Sequence, residues 1–290
     1  SLFQEIDAYW QRQENKVHPK YGSFLMNYAL LKQKWGKYDD AEKLALLAIS
    51  IRKQFYSATD LAYLRALHYL ATIYQKQGKY KEAEKLFLDN LNSTFQIGGR
   101  THPIYMSTLN NLGELYIDVG KYSLSDSLYQ RAKNIYQEVN GEFSKEYATV
   151  INNLAILKDY LGATEECEVY YLKVIEIEEQ LYEDDAPSLA GSYNNLGSFY
   201  LDIGDFAKAE LYVKRAEKII ENSSEIQPFF INTYGTLADV QNVLGYYENA
   251  EHFLLKAVEI AKEIYGEDHP EYSYPLNSLG MFYDDQGRLE

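Results

Sequence analysis

Seven glycines, Gly36, Gly78, Gly120, Gly162, Gly204, Gly245 and Gly287, recur at steps of 42, 42, 42, 42, 41 and 42 residues. Few architectures are compatible with that regularity. A fixed period of about 20–50 residues marks a solenoid, whose units bury their apolar faces only by stacking on one another. The length of 290 residues then counts stacked units rather than the volume of one core. Such a chain offers a long repetitive surface in place of a single deep catalytic pocket.

Alignment on the glycines shows the content of a unit. The segments THPIYMSTLNNLGELYIDVG, APSLAGSYNNLGSFYLDIG and DHPEYSYPLNSLGMFYDDQG each end on one of them. Leu109, Leu112, Leu115 and Tyr116 recur at three- and four-residue steps, the spacing of an amphipathic helix; this is helix A. Segments such as KYKEAEKLFLDNL and DFAKAELYVKRAEKII follow the glycines and form helix B. A glycine between them supplies the positive φ of a tight helical turn. Pro19, Pro103, Pro187, Pro228 and Pro270 each lie 17 residues before a turn glycine, where proline opens helix A without losing a needed N–H. His18, His102 and His269 precede three of them. They occupy corresponding loops of separate units, so they are read as a product of the repeat and not as a metal cluster.

Ala41, Ala83, Ser125, Cys167, Ala209 and Ala250 stand five residues after successive glycines. A small side chain there lets helix B approach helix A closely. Cys167 is therefore read as a small buried hydrophobe and not as a nucleophile, since the pattern brings no histidine near it.

The expected architecture is all-α, a right-handed superhelical solenoid of antiparallel helix pairs forming a single array over 1–290. Residues 1–14 read as an orphan helix B. Six pairs follow at 19–57, 59–97, 103–139, 145–181, 187–222 and 228–265, and 270–286 read as an orphan helix A. Neither end resembles a polar cap, and solenoids need caps, so a longer protein is expected. The missing initiating Met suggests an excised piece, and the closing QGRLE reads as the start of a truncated helix or an expression scar.

Composition narrows the partner. One cysteine in the chain rules out an internal disulfide framework and fits a reducing, cytoplasmic setting. No apolar run reaches the roughly 18 residues of a membrane span, and SLFQEIDAYW has no secretory pattern. Net charge is −15, but residues 1–100 hold 15 Lys+Arg against 10 Asp+Glu, whereas residues 101–290 hold 13 against 33. Nucleic-acid binding needs a continuous positive track, which this distribution lacks. A basic or bipolar protein partner fits it; acidic residues that only keep a long solenoid soluble are the competing explanation.

The residues NNLGELY…GKY…SLYQRA and NNLGSFY…GDFAKAELYVKRA resemble tetratricopeptide repeats, whose signature is Leu-Gly-x-x-Tyr in helix A and spaced Ala, aromatic and Ala in helix B. The 42-residue period, with HPxY before LNNLG, resembles the kinesin light chain subclass. Similar repeats stand beside protease or kinase domains in bacterial regulatory proteins. The resemblance implies a non-catalytic adaptor without a cofactor, whose concave face of helices A binds a peptide or partner helix. Kinesin light chains carry a basic groove for acidic cargo, and this chain departs from that pattern.

The paired asparagines Asn110–Asn111, Asn152–Asn153 and Asn194–Asn195, with Asn27 and Asn277 as single counterparts, are the candidate peptide-binding residues. A carboxamide offers both donor and acceptor to an extended main chain; bonding of one Asn of each pair to the neighbouring repeat is the competing role. His68–Tyr69 and Gly235–Thr236 interrupt the ladder, which points to the central units. Candidate groove charges are Arg65 and Lys76 early in the chain, then Glu114, Asp118, Asp159, Asp202 and Asp239. Trp10 and Trp35 read as packing residues, and EEQLYEDD at 178–185 as a helix end passing into a loop. No Ser–His–Asp order or phosphate loop is present. A regulatory arm that binds a neighbouring effector domain of the same chain, or an oligomerisation module, are the other functional classes open to such an array.

Overall fold

The computed structural model describes residues 2–12, 18–183 and 186–288, with the side chains of 2–4, 7 and 11 left aside. The expectations for residues 13–14, for Asp184 and Asp185, and for the closing Leu-Glu lie outside the described residues. The described residues form helices and turns and contain no strand. In chain order the helices are α1 Leu2–Arg12, α2 Pro19–Lys34, α3 Tyr38–Phe55, α4 Leu61–Lys76, α5 Tyr80–Gly98, α6 Pro103–Asp118 and α7 Tyr122–Asn140. They continue as α8 Lys145–Tyr160, α9 Thr164–Leu181, α10 Pro187–Asp202, α11 Phe206–Asn222, α12 Phe230–Val243, α13 Tyr247–Tyr265 and α14 Pro270–Asp285. Consecutive helices pair as an α solenoid of helical hairpins. None is long and apolar enough to cross a membrane among the described residues.

The turn glycines take φ between 65° and 83°, the left-handed region where a Cβ is penalised. Each ends a helix A with a Schellman-type closure, as where Lys79 N–H donates to the Tyr74 carbonyl at 2.9 Å and Gly78 N–H to Gln75 at 3.0 Å. At the other end of helix A, prolines occupy the first turn of α2, α6, α10 and α14. The preceding histidines complete three of these starts. Nδ1 of His18, His102 and His269 accepts the backbone N–H two residues on, at 3.1, 3.2 and 3.1 Å, which satisfies one of the open donors of a helix start. Pro228 differs from the expectation. It sits in a turn ahead of α12, where Phe230 N–H donates to Gln227 and Ile231 N–H to Pro228. These three-residue closures tighten the entry, and this is the one unit whose period is 41.

The chain divides into two compact units, Ser1–Val139 and Asn140–Glu290. In the first, Tyr21, Leu25, Ala29, Ala41, Ala45 and Leu70 are core residues. Trp10 of α1 stacks on Tyr21 and His18 at 5.4 and 5.5 Å. Trp35 instead lies at a turn, 39% exposed, with the ammonium groups of Lys32 and Lys37 each 6.0 Å from its ring. In the second unit, Cys167, Tyr171, Leu196, Tyr200, Ala209 and Val213 share a core. All six small residues of the helix-B column are fully buried. Burial pushes the Cys167 thiol up to about 12, so it stays protonated and unreactive at neutral pH.

Helix A answers that column with its own small residues seven positions before each turn glycine: Ala29, Ala71, Gly113, Ala155, Gly197, Ala238 and Gly280. A Cβ on Gly113 would lie 2.6 Å from the Tyr129 ring, and one on Gly197 would lie 2.5 Å from Cγ1 of Val213. Ser125 spends its buried hydroxyl on the Gly113 carbonyl at 2.8 Å, as a buried donor must.

Stacking of neighbouring pairs uses a joint the sequence reading missed. Within the first unit Glu42 on α3 accepts from Lys79 at 2.6 Å, and Glu84 on α5 accepts from Lys121 at 3.0 Å. In the second, Glu168 accepts from Tyr200 Oη at 2.5 Å and Lys208 at 3.1 Å, and Glu251 from Tyr283 Oη at 2.8 Å and Arg288 at 2.7 Å. The cation also lies over the ring of the signature tyrosine, 4.5 Å from its centroid at Lys208–Tyr200 and 5.1 Å at Lys121–Tyr116. The Tyr200 hydroxyl first, and then Lys208, hold the Glu168 carboxyl below its usual range. Exposed ion pairs contribute little apiece, so the joint chiefly fixes the register between repeats. The signal was available: Glu stands six residues after Gly36, Gly78, Gly162, Gly204 and Gly245, although Glu210 pairs with Lys214 on its own helix at 2.6 Å.

Candidate functional site

The asparagines fall on one face of helix A, and the structure shows what part of their hydrogen-bonding capacity goes into the stack. Asn27 on α2 and Asn277 on α14 are exposed, and the three pairs on α6, α8 and α10 are half-buried. Asn195 Nδ2 donates to Asn152 Oδ1 at 3.1 Å. The second asparagine of one pair thus bonds the first asparagine of the preceding pair.

The same stitch is built with a different residue in the first unit. Asn111 Nδ2 lies 3.0 Å from His68 Nε2, and His68 Nδ1 lies 3.1 Å from Thr108 Oγ1. Thr108 donates its own proton to the Ile104 carbonyl at 2.6 Å. The chain of donors therefore requires a neutral imidazole protonated on Nδ1, with Nε2 accepting from Asn111. His68 does not interrupt the ladder; it occupies the asparagine's place and does its work. Its burial pushes the imidazole down to about 4.

The stitch does fail one unit later. Asn194 stands where His68 and Asn152 stand in their repeats, and its partner position holds Thr236. Thr236 Oγ1 turns back to the Asn232 carbonyl at 3.1 Å, and Asn194 Oδ1 is buried without a hydrogen bond. Thr236→Asn is expected to restore the donor and raise the unfolding free energy by about 1 kcal/mol. Denaturant unfolding of the two proteins measures it; an unchanged midpoint would show that the oxygen gains nothing from a partner there.

Between α8, α9 and α10 the stitched pair opens into a cleft of about 480 Å³, lined by Thr149, Asn152, Glu178, Gly191, Ser192 and Asn195 among others. Ser192 Oγ donates to Glu178 Oε2 at 2.6 Å. Burial pushes the Glu178 carboxyl above its usual range, against the opposing pull of the Ser192 bond and the charge of Lys145.

The candidate groove charges differ between the two units. In the first, Arg65 is exposed, Lys76 pairs with Glu114 at 3.4 Å, and Asp118 accepts from Gln75 at 2.7 Å. In the second, Asp159, Asp202 and Asp239 are exposed, and none has an ion-pair partner among the described residues. Desolvation, and then the charge of Asp202, push both Asp159 and Asp239 upward. Asp202 lies within electrostatic reach of both Asp159 and Asp239, and like charges brought together in this way make the face receptive to a cation. No three His, Cys, Asp or Glu side chains among the described residues converge as a metal set.

Comparison with solved structures returns the same fold in proteins of low identity. The apo quorum sensor NprR of B. thuringiensis has 13% identity and a TM-score of 0.69 over 99% of this chain and 77% of that one. A Rap protein in complex with competence and sporulation factor has 13% identity and a TM-score of 0.66, over 98% of this chain and 80% of that one. A Podosopora anserina protein assigned to the kinesin light chains, with nearly identical tetratricopeptide-like repeats, has 19% identity and a TM-score of 0.59, over 72% of this chain and 99% of that one. No curated protein sequence matches the chain. The tetratricopeptide repeat profile matches residues 21–92, 104–166, 148–222 and 229–290. That repeat serves as a scaffold for protein interactions. With the profile covering most of its length on the helix pairs described above, the chain belongs to the tetratricopeptide repeat family.

Proposed function

We propose that the chain is a non-catalytic adaptor that binds an extended peptide or partner helix along the helix-A face, and that its ligand is basic or bipolar. The observation that carries this reading is the stitched carboxamide pair Asn152–Asn195 in the wall of an open cleft. Each stitch uses one donor and one acceptor, and it fixes the planes of both groups. A carboxamide held in this way meets a peptide main chain with little further loss of rotamer freedom. The field of Asp159, Asp202 and Asp239 supports the charge preference, because no cation among the described residues pairs with any of them. The likeness to NprR, named as a quorum sensor, and to the Rap protein, named in complex with competence and sporulation factor, supports ligand capture on such a fold.

A random peptide library displayed against the chain tests the reading. Enriched peptides should carry a net positive charge. Asn153→Ala/Asn195→Ala, checked to remain folded at the binding temperature because Asn195 also stitches to Asn152, should weaken them roughly tenfold to a hundredfold, from about 1 kcal/mol per lost hydrogen bond. No enrichment, or peptides that bind the double variant equally, would overturn it.

A further inference from the structure

We infer that the cleft between α8, α9 and α10 is a receptor for a guanidinium group, with the Glu178 carboxylate as its counter-charge and an arginine of the bound peptide as its occupant. The inference deepens the adaptor reading and rests on it for the peptide, but the cleft can be probed without any peptide.

The first argument comes from the repeat itself. Glu178 lies sixteen residues after its turn glycine, and the residue at that register in the first full pair is Arg52. Arg52 is buried; its guanidinium donates to Ser23 Oγ at 3.2 Å and to the Ala62 carbonyl. Ser23 and Ala62 correspond in register to Thr149 and Ser188, and both of these line the cleft. The same inter-repeat space thus holds an internal guanidinium in one unit, while in the other it is open and has a carboxylate at its wall.

The second argument is the carboxylate's preparation. Ser192, only 8% exposed, holds Glu178 Oε2 at 2.6 Å, so the group is oriented. Among the described residues no lysine or arginine lies within ion-pair distance of it. Lys145 stands exposed on the rim, where solvent and salt screen its charge. A half-buried carboxylate without a cation retains its desolvation cost, and a planar donor fork that fills the cleft offsets it through charge-assisted hydrogen bonds.

The third argument is Gly191. At the equivalent helix-A position the other units carry Ser23, Arg65, Ser107, Thr149, Asn232 and Tyr274; only here is the residue glycine. A Cβ on Gly191 would meet nothing within 4 Å, so packing does not demand the glycine. Its mid-helix cost is about 1 kcal/mol relative to alanine, and what it provides is room in the cleft wall.

The test is an amide-resolved NMR titration of the chain with N-acetyl-L-arginine amide, run beside N-acetyl-L-norleucine amide. Saturable shifts are expected at the Thr149, Gly191 and Ser192 amides with the arginine probe alone, with a Kd in roughly the millimolar range for so small a ligand. Glu178→Gln keeps an acceptor for Ser192 but removes the charge, and should weaken the probe about tenfold or more. Gly191→Leu should abolish the shifts by filling the cleft. Equal response to norleucine amide, equal affinity in a folded Glu178→Gln variant, or no saturable shift at these amides would overturn the assignment. Failure here leaves the peptide-display result untouched. Conversely, a cleft that takes the arginine probe while no displayed peptide is enriched would separate this site from the adaptor reading.

Discussion

Gly197→Ala is expected to lower the unfolding free energy by about 1 kcal/mol, although the substitution improves helix propensity. Alanine in place of glycine at a helix interior gains about 1 kcal/mol. Opposing this, the new methyl would sit 2.5 Å from Cγ1 of Val213 and 3.3 Å from its backbone nitrogen. Val213 is fully buried and β-branched, so it has one good rotamer in a helix and cannot swing away. The helices must separate, and such overpacking costs about 1–3 kcal/mol. The cycle with Val213→Ala makes the prediction sharp. Val213→Ala alone should cost about 2–3 kcal/mol through its cavity. In the Val213→Ala background, however, Gly197→Ala should turn neutral or stabilising, since its methyl enters the vacated space. Denaturant unfolding of the four proteins reads the sign change; additivity would show that Gly197 is not there to admit Val213. Gly191, six residues earlier on the same helix, is the control. With nothing near its Cβ, Gly191→Ala should be stabilising by about 0.5–1 kcal/mol.

The contrast between these two glycines shows what could be read from the chain and what could not. Local chemistry that recurs every 42 residues is legible. The turn glycines, the proline starts of α2, α6, α10 and α14, and the buried column through Cys167 each follow from a residue and its offset. The Leu-Gly-x-x-Tyr glycine could be aligned, but its neighbour across the hairpin, Val213 in one pair and Tyr129 in another, could not be named without the crossing of the helices. Interactions between repeats were hardest to see. The asparagine pairs were visible as a column, yet their one-step offset, second residue to preceding first, depends on how far neighbouring helices A slide along each other. That offset turns His68 from an interruption into a substitute. It also turns Thr236 from a mere end of the pattern into the cause of an unpartnered Asn194 oxygen. The cleft at Glu178 was illegible for the same reason, since its walls come from three helices and its meaning from a register comparison with Arg52.

His68 also makes the first unit acid-sensitive, and the direction follows from its place in the stitch. The folded imidazole is held down near 4 by burial, from an ordinary value of 6.5. Between those two values the unfolded chain binds a proton that the folded chain refuses, so stability is complete above about pH 6.5 and falls as pH drops toward 4. The cause is geometric as well as dielectric. Nε2 faces the Asn111 amide at 3.0 Å, and protonation would set two donors against each other in a dry site. The loss should reach about 2 kcal/mol at pH 5 and about 3 kcal/mol by pH 4. Carboxylates titrate lower in this range, so the measurement is the difference between the parent and His68→Asn. An asparagine there would accept from Asn111 as Asn152 accepts from Asn195, keeping the stitch without a titrating group. Denaturant midpoints should therefore diverge between pH 7 and 5, the parent losing stability faster. Parallel pH profiles would mean that the folded imidazole titrates near its ordinary value, and the neutral His68–Asn111 bond would then have to be abandoned.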